Sequence, residues 1–211
     1  MNIICHRGFW KKLFEQNSID SLKKAINSNF GVEFDVREYK SKLVISHDIP
    51  NDHSPSLNKF LHFYHLKNKN LYLAINIKTD GISDILLKSL NKYKINKYFV
   101  FDMSAPEQIL YWKKKIKFFS RFSDLESSPI LYNQSQGLWI DNFNIKKFNY
   151  KLVNDCVRKN KKICFVSPEI HKRNYSDFWK YIKKYNNYKN SFLCTDLFLK
   201  ADIFFNDKNA K

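Results

Sequence analysis

The chain has 211 residues, a formal net charge of +17, and hydrophobic and aromatic contents of 44% and 17%. That suits one well-packed domain over 1–211, and no apolar stretch approaches the roughly 20 residues needed to span a bilayer. The basic balance favours anionic partners, yet the lysines are scattered, as in "WKKKIKFF" and "RKNKKICF", and read as a solvated surface. Without an RNP, KH or zinc motif, no specific nucleic-acid partner is expected. The first motif begins at residue 6, which leaves no room for a signal peptide. Cys5, Cys156, Cys164 and Cys194 are far apart, and three sit in apolar runs, as reduced core residues of a cytoplasmic protein would.

Short apolar runs recur at 2–5, 31–36, 71–77, 98–101, 117–120, 137–140, 162–166 and 190–194. Helix-like stretches such as "SIDSLKKAINSNF", "ISDILLKSLNKY", "APEQILYWKKK" and "NYSDFWKYIKKY" lie between them. Alternation of this kind implies parallel strands joined by helical crossovers, and eight units predict a compact (β/α)8 barrel. In order, the runs end near His6, Asp35, Lys78, Asp102, Arg121, Asp141, Glu169 and Asp196. In such a barrel those positions converge on the rim where catalytic groups gather.

Side chains alternate along a strand, so in "GVEFDVRE" Glu33 and Asp35 share one face and Val32, Phe34 and Val36 the other. The apolar set suits packing against helices, which turns both acids inward. Two close carboxylates repel unless one is protonated or a cation intervenes. Mg2+ or Ca2+ suits such oxygen donors, and salt bridges to lysines are the alternative. In "LYLAINIKTDG", Asn76 and Lys78 likewise share a face, so an amide oxygen could join the same ion and an ammonium could meet an anionic substrate. The stretch "KLVISHDIP" then supplies His47 beside Asp48. A pair of imidazoles, here His6 and His47, is what phosphodiester cleavage uses as base and acid. His53, His62 and His65 read as surface or core filler.

"HRG" at 6–8, "QNS" at 16–18, "EFD" at 33–35, "HD" at 47–48, "INIK" at 75–78 and "CTD" at 194–196 together resemble the glycerophosphodiester phosphodiesterase family, within the phospholipase-C-like barrel phosphodiesterases. "PSL" at 55–57 is similar to that family's loop-to-helix signal. The resemblance implies a (β/α)8 barrel, one divalent cation and a two-histidine mechanism. It assigns His6 and His47 to acid–base roles, Arg7 to phosphate contact, Glu33 and Asp35 to cation ligation, and Lys78 to charge neutralisation. Asn76 stands where the family usually has a glutamate ligand, and Gln16-Asn17-Ser18 where it has "ENT". The family's capping insertion after "HD" is essentially missing, and an uncovered mouth suits a bulky, glycan-linked or lipid-linked phosphodiester, with peripheral contact to an anionic membrane. "ICFVSPEIHKR" is similar to a segment of short, capless relatives from bacterial surface-polysaccharide gene neighbourhoods. There Glu169 could serve as a ligand or base and Arg121 as a phosphate clamp, or the two could pair with each other. Asn76 keeps open a second reading, a barrel that binds an anionic phosphodiester without cleaving it.

Overall fold

The computed structural model describes residues 1–67, 70–143 and 150–207. Strand β1 (Asn2–Cys5) opens the chain, followed by α1 (Ile19–Asn27), β2 (Gly31–Tyr39), β3 (Lys42–Ile45) and α2 (Leu57–Lys67). Next come β4 (Leu73–Ile77), α3 (Ser83–Lys92), β5 (Tyr98–Phe101), α4 (Ala105–Lys113), β6 (Phe119–Phe122) and β7 (Gly137–Ile140). The order ends with α5 (Tyr150–Arg158), β8 (Lys162–Val166), α6 (Ser176–Ile182), β9 (Ser191–Thr195) and α7 (Phe198–Asn206). The alternation is that of a (β/α)8 barrel in which β3 is an added ninth strand. The chain divides into two compact units, His6–Phe118 and Met1–Cys5 with Phe119–Lys211.

In the first unit β2, β4 and β5 pair in parallel and β3 pairs antiparallel to β2. Val32, Phe34 and Val36 are fully buried, and the Phe34 ring meets Phe60 of α2 edge-on at 5.2 Å between centroids. These outward residues thus pack against a helix, which leaves the opposite face of β2 for its acids. Ahead of α1, Ser18 accepts a bond from the Ser21 amide at 3.1 Å, capping the helix that buries Leu22, Ala25 and Ile26. Residues 46–56 connect β3 to α2 without a further helix or strand, in keeping with the expected lack of a capping insertion.

In the second unit β1, β9, β8, β7 and β6 form a parallel row. Gly137 opens β7 where a Cβ would run into the Lys162 backbone, so only glycine allows the two strands to meet there. All four cysteines are buried and none is in a disulfide.

Most strands lie within two residues of the apolar runs that predict them. Two differences matter. The run at 31–36 extends to Tyr39 because its end pairs with β3, so Asp35 sits within the strand. The run at 117–120 begins as a strand only at Phe119, which places Arg121 inside β6 rather than past its end.

Candidate active site

In the first unit the residues after β1 fold back onto β2. Arg7 and Gly8 both adopt left-handed backbone, φ +53° and +99°, a conformation that non-glycine residues hold mainly where surrounding contacts demand it. Here the demand is visible. The Arg7 amide donates to Glu33 Oε2 at 3.0 Å, while its guanidinium Nε lies 3.2 Å from Asp35 Oδ2. A Cβ on Gly8 would come within 2.9 Å of the Ser21 backbone, at a φ that L side chains rarely adopt. Gly8→Ala is therefore expected to lower stability by about 2 kcal/mol, read as an earlier midpoint in thermal or urea unfolding.

Register fixes the rest. Asp35 stands opposite Asn76, and Glu33 opposite Ala74. Asp35 is wholly buried. It is flanked by Arg7, by Lys78 Nζ at 3.5 Å, and by the Asn17 amide, which donates to Oδ2 at 2.8 Å. Asn17 Oδ1 in turn accepts from the Asp35 amide at 3.2 Å. Sequence alone assigns this doubly bonded asparagine no role beyond its place in "QNS"; its own left-handed φ of +58° is the local cost of that reach. Even so, Asp35 Oδ1 and Asn76 Oδ1 are buried and accept no hydrogen bond. Asp35 Oδ1 faces the Lys78 ammonium without a hydrogen bond, and Asn76 Oδ1 accepts none at all; a buried acceptor left so calls for a partner.

Glu33 shows the same deficit electrostatically. Burial first, and then the neighbouring Asp35 charge, push its carboxyl up to about 7, against the opposing pull of His6 and Arg7. His6 Nε2 lies 4.0 Å from Glu33 Oε2, close enough to feel the charge but beyond hydrogen-bond reach.

His47 lies on the loop after β3. Its Nδ1 is 2.8 Å from Asp48 Oδ1, and the hydrogen bond to His47 holds the Asp48 carboxyl below its ordinary range. An ionised carboxylate only accepts, so Nδ1 carries the proton of this bond and Nε2 is the ring nitrogen it leaves over. Arg37 Nε donates to the His47 carbonyl at 3.0 Å, anchoring the loop. Arg7, Gln16, Asn17, His47, Asp48 and His53 line one pocket of about 410 Å³. His53, which reads from sequence as filler, is thus on the pocket wall. The signal for it is its place six residues after His47, in a loop too short to carry it away.

Glu33, Asp35, Asn76, Lys78, His6, Arg7 and His47 all belong to the first unit, and Arg121 and Glu169 to the second. Those two do not pair with each other. Arg121 is ion-paired to Glu126. Glu169 accepts from the hydroxyls of Ser167 and Thr195 and from the Asp196 amide. Nearby in that unit His171 Nε2 is 2.6 Å from Asp141 Oδ1, and Arg173 donates to the Asn142 carbonyl.

Neither a family model nor a curated protein matches the chain. Solved structures do. A phosphodiesterase of Oleispira antarctica, solved in complex with its product sn-glycerol-3-phosphate, superposes with a TM-score of 0.69 at 14% identity, covering 98% of this chain and 97% of that one. A glycerophosphodiester phosphodiesterase of Agrobacterium tumefaciens gives 0.66 at 13% identity over 97% and 98%. A glycerophosphoryl diester phosphodiesterase of Parabacteroides distasonis gives 0.68 at 12% identity over 96% and 85%. The chain has the fold of these phosphodiesterases.

The donor set can be weighed for a cation. Among the described residues no three His, Cys, Asp or Glu side chains gather as a metal-binding group. The set at hand is instead two carboxylates and one amide, Glu33, Asp35 and Asn76, all hard oxygen donors of the kind Mg2+ and Ca2+ take. A buried amide oxygen without a hydrogen bond, a buried carboxylate oxygen met by Lys78 at 3.5 Å, and a carboxyl raised by burial and by Asp35 are what a divalent ion would relieve, so the residues fit one. No helix is long and apolar enough to cross a membrane, among the described residues.

Proposed function

We propose that the chain is a phosphoric diester hydrolase of the glycerophosphodiester phosphodiesterase type, acting through one barrel domain over 1–211. The single observation that carries this reading is the placement of Asp35 opposite Asn76 on adjoining strands beside Glu33, with Oδ1 of each buried and accepting no hydrogen bond. It stands next to a pocket that holds Arg7 and His47.

A divalent ion held by Glu33, Asp35 and Asn76 would supply a Lewis acid for a phosphoryl oxygen. Arg7 and Lys78, already turned toward Asp35, add positive charge where the five-coordinate transition state accumulates negative charge. His47, with Nδ1 fixed by Asp48, presents Nε2 to take a proton from the attacking oxygen or return one to the leaving alcohol. His6, beside Glu33, serves the opposite proton transfer. Glycerol 3-phosphate as a product of the Oleispira enzyme supports a small glycerophosphodiester as substrate class. Hydrolysis of glycerophosphodiesters, with Mg2+, with Ca2+ and after chelation, tests the reading. A cation-dependent rate well above background is expected; a rate at background with either ion would overturn it.

Asn76 favours a second reading, binding without cleavage. A neutral amide in place of a carboxylate leaves the ion held by two charges, and Asp35 is shared with Arg7 and Lys78. Asn76→Glu is expected to tighten Mg2+ at least tenfold, measured by calorimetry, since a third carboxylate adds attraction at short range. Unchanged affinity would remove Asn76 from the ligand set.

A further inference from the structure

The loop between β1 and α1 exposes apolar side chains that the fold has no use for. Leu13 and Phe14 are 73% and 79% exposed, and Ile49, on the loop that carries His47, is 88% exposed. Leu13 and Phe14 line the pocket that holds Arg7 and His47, and Ile49 directly follows Asp48, which also lines it. A single exposed leucine is ordinary, but three large apolar residues around one polar mouth mark an interaction surface.

The rim is built rather than frayed. A 3-10 turn over Leu13–Glu15 presents the two residues. Glu15 Oε2 accepts from the amides of Lys11 and Lys12 at 2.7 and 3.2 Å, closing the turn beneath them. Trp10 Nε1 donates to the His6 carbonyl at 2.9 Å, tying the start of the loop to the catalytic segment.

Charge decides what meets this rim. Lys11 and Lys12 are exposed, and among the described residues neither enters an ion pair. Lys12 Nζ stands 5.8 Å from the Phe14 ring centre, so cation and apolar tip are presented together. Of the acids close by, Glu15 accepts from backbone amides and offsets part of the Lys12 charge, Asp48 is bound to His47, and Asp52 to Lys40 Nζ at 2.5 Å. Apolar tips flanked by two exposed lysines match an anionic lipid surface, where aromatic and aliphatic groups enter the interface and ammonium groups meet headgroups.

We infer that the pocket mouth docks on an anionic membrane through Leu13, Phe14 and Ile49, with Lys11 and Lys12 on the headgroups. The substrate is then a membrane-resident phosphodiester with an apolar moiety. The docking stands on the rim alone; the identity of the substrate rests on the phosphodiesterase reading of the pocket.

Co-sedimentation with vesicles tests it, using phosphatidylcholine alone and a roughly equal mixture with phosphatidylglycerol. The protein is expected to bind the anionic vesicles at least about tenfold more tightly. Leu13→Ser/Phe14→Ser/Ile49→Ser should weaken that binding about a hundredfold or more. Lys11→Glu/Lys12→Glu should weaken it by roughly fivefold or more per lysine. All three apolar residues are exposed, so thermal unfolding of their triple variant should match the parent. Equal binding to both vesicles, or binding untouched by the apolar variant, overturns docking. So does a concentration-dependent dimer that the apolar variant abolishes without any vesicle binding, which would assign the rim to a second copy. His6→Ala should dock like the parent. Intact docking without hydrolysis of either a soluble glycerophosphodiester or a vesicle-resident phosphodiester would sink the enzymatic reading alone, and hydrolysis without docking would sink this inference alone.

Discussion

His47→Ala and His6→Ala are each expected to lower the rate of phosphodiester hydrolysis at least about a hundredfold, the lower range for a general acid or base. His47→Ala removes Nε2, the ring atom left to a substrate once Asp48 holds Nδ1. The loop itself should survive, because Arg37 binds the His47 carbonyl rather than its ring. His6→Ala likewise keeps the carbonyl that accepts from Trp10. Both losses should therefore fall on the rate and leave unfolding midpoints close to the parent. Asp48→Asn is the finer probe. It keeps the shape of the side chain but weakens the bond that selects the Nδ1–H tautomer. It should cost less than His47→Ala, read as a fall in kcat with the unfolding midpoint unchanged. Full activity in either histidine variant would remove the acid–base assignment.

The site was legible where a local rule forced a direction. Alternation along a buried strand turned Glu33 and Asp35 to one face, and the register of β2 with β4 brought Asn76 to Asp35 as the same rule implied. The apolar runs located the parallel strands because strands buried on both faces have little polar interruption. The hairpin of β2 and β3 was not legible. Its two-residue turn is Lys40-Ser41, both at positive φ, whereas such turns are signalled by Asn-Gly or Asp-Gly. Helices α2 and α7 were faint for another reason: Leu66, Leu199 and Ile203 are exposed, which blurs the single apolar stripe that marks a helix. Asn17 escaped because its value lies in two bonds to a residue 18 positions away. No pattern within a short window encodes such a contact. Arg121 and Glu169 show the opposite hazard. Position near a strand end told nothing of their partners, which are Glu126 for Arg121 and Ser167, Thr195 and Asp196 for Glu169.

Glu33→Gln should stabilise the metal-free protein at pH 8 by roughly 3 kcal/mol and leave it nearly unchanged at pH 5. The sign follows from linkage. The folded-state pKa of Glu33 is raised from 4.5 to about 7 by burial and by Asp35, so between those values the native state holds a proton that the unfolded state has released. Unfolding free energy therefore falls as pH rises through that window, by about 1.4 kcal/mol for each pH unit crossed. Above it the native state carries the full cost of a buried charge. Glutamine keeps the shape and an acceptor for the Arg7 amide but has no charge to bury, so the gain appears only at the alkaline end. In a chain of this size it corresponds to a rise of roughly 10 °C in unfolding midpoint. Saturating Mg2+ should reverse the order, since the parent would gain from the ion what its carboxylate loses by burial, whereas the glutamine variant would bind the ion weakly. A midpoint difference independent of pH would show that Glu33 is already satisfied by Arg7 and His6. One that ignores the cation would show that this carboxylate does not hold it.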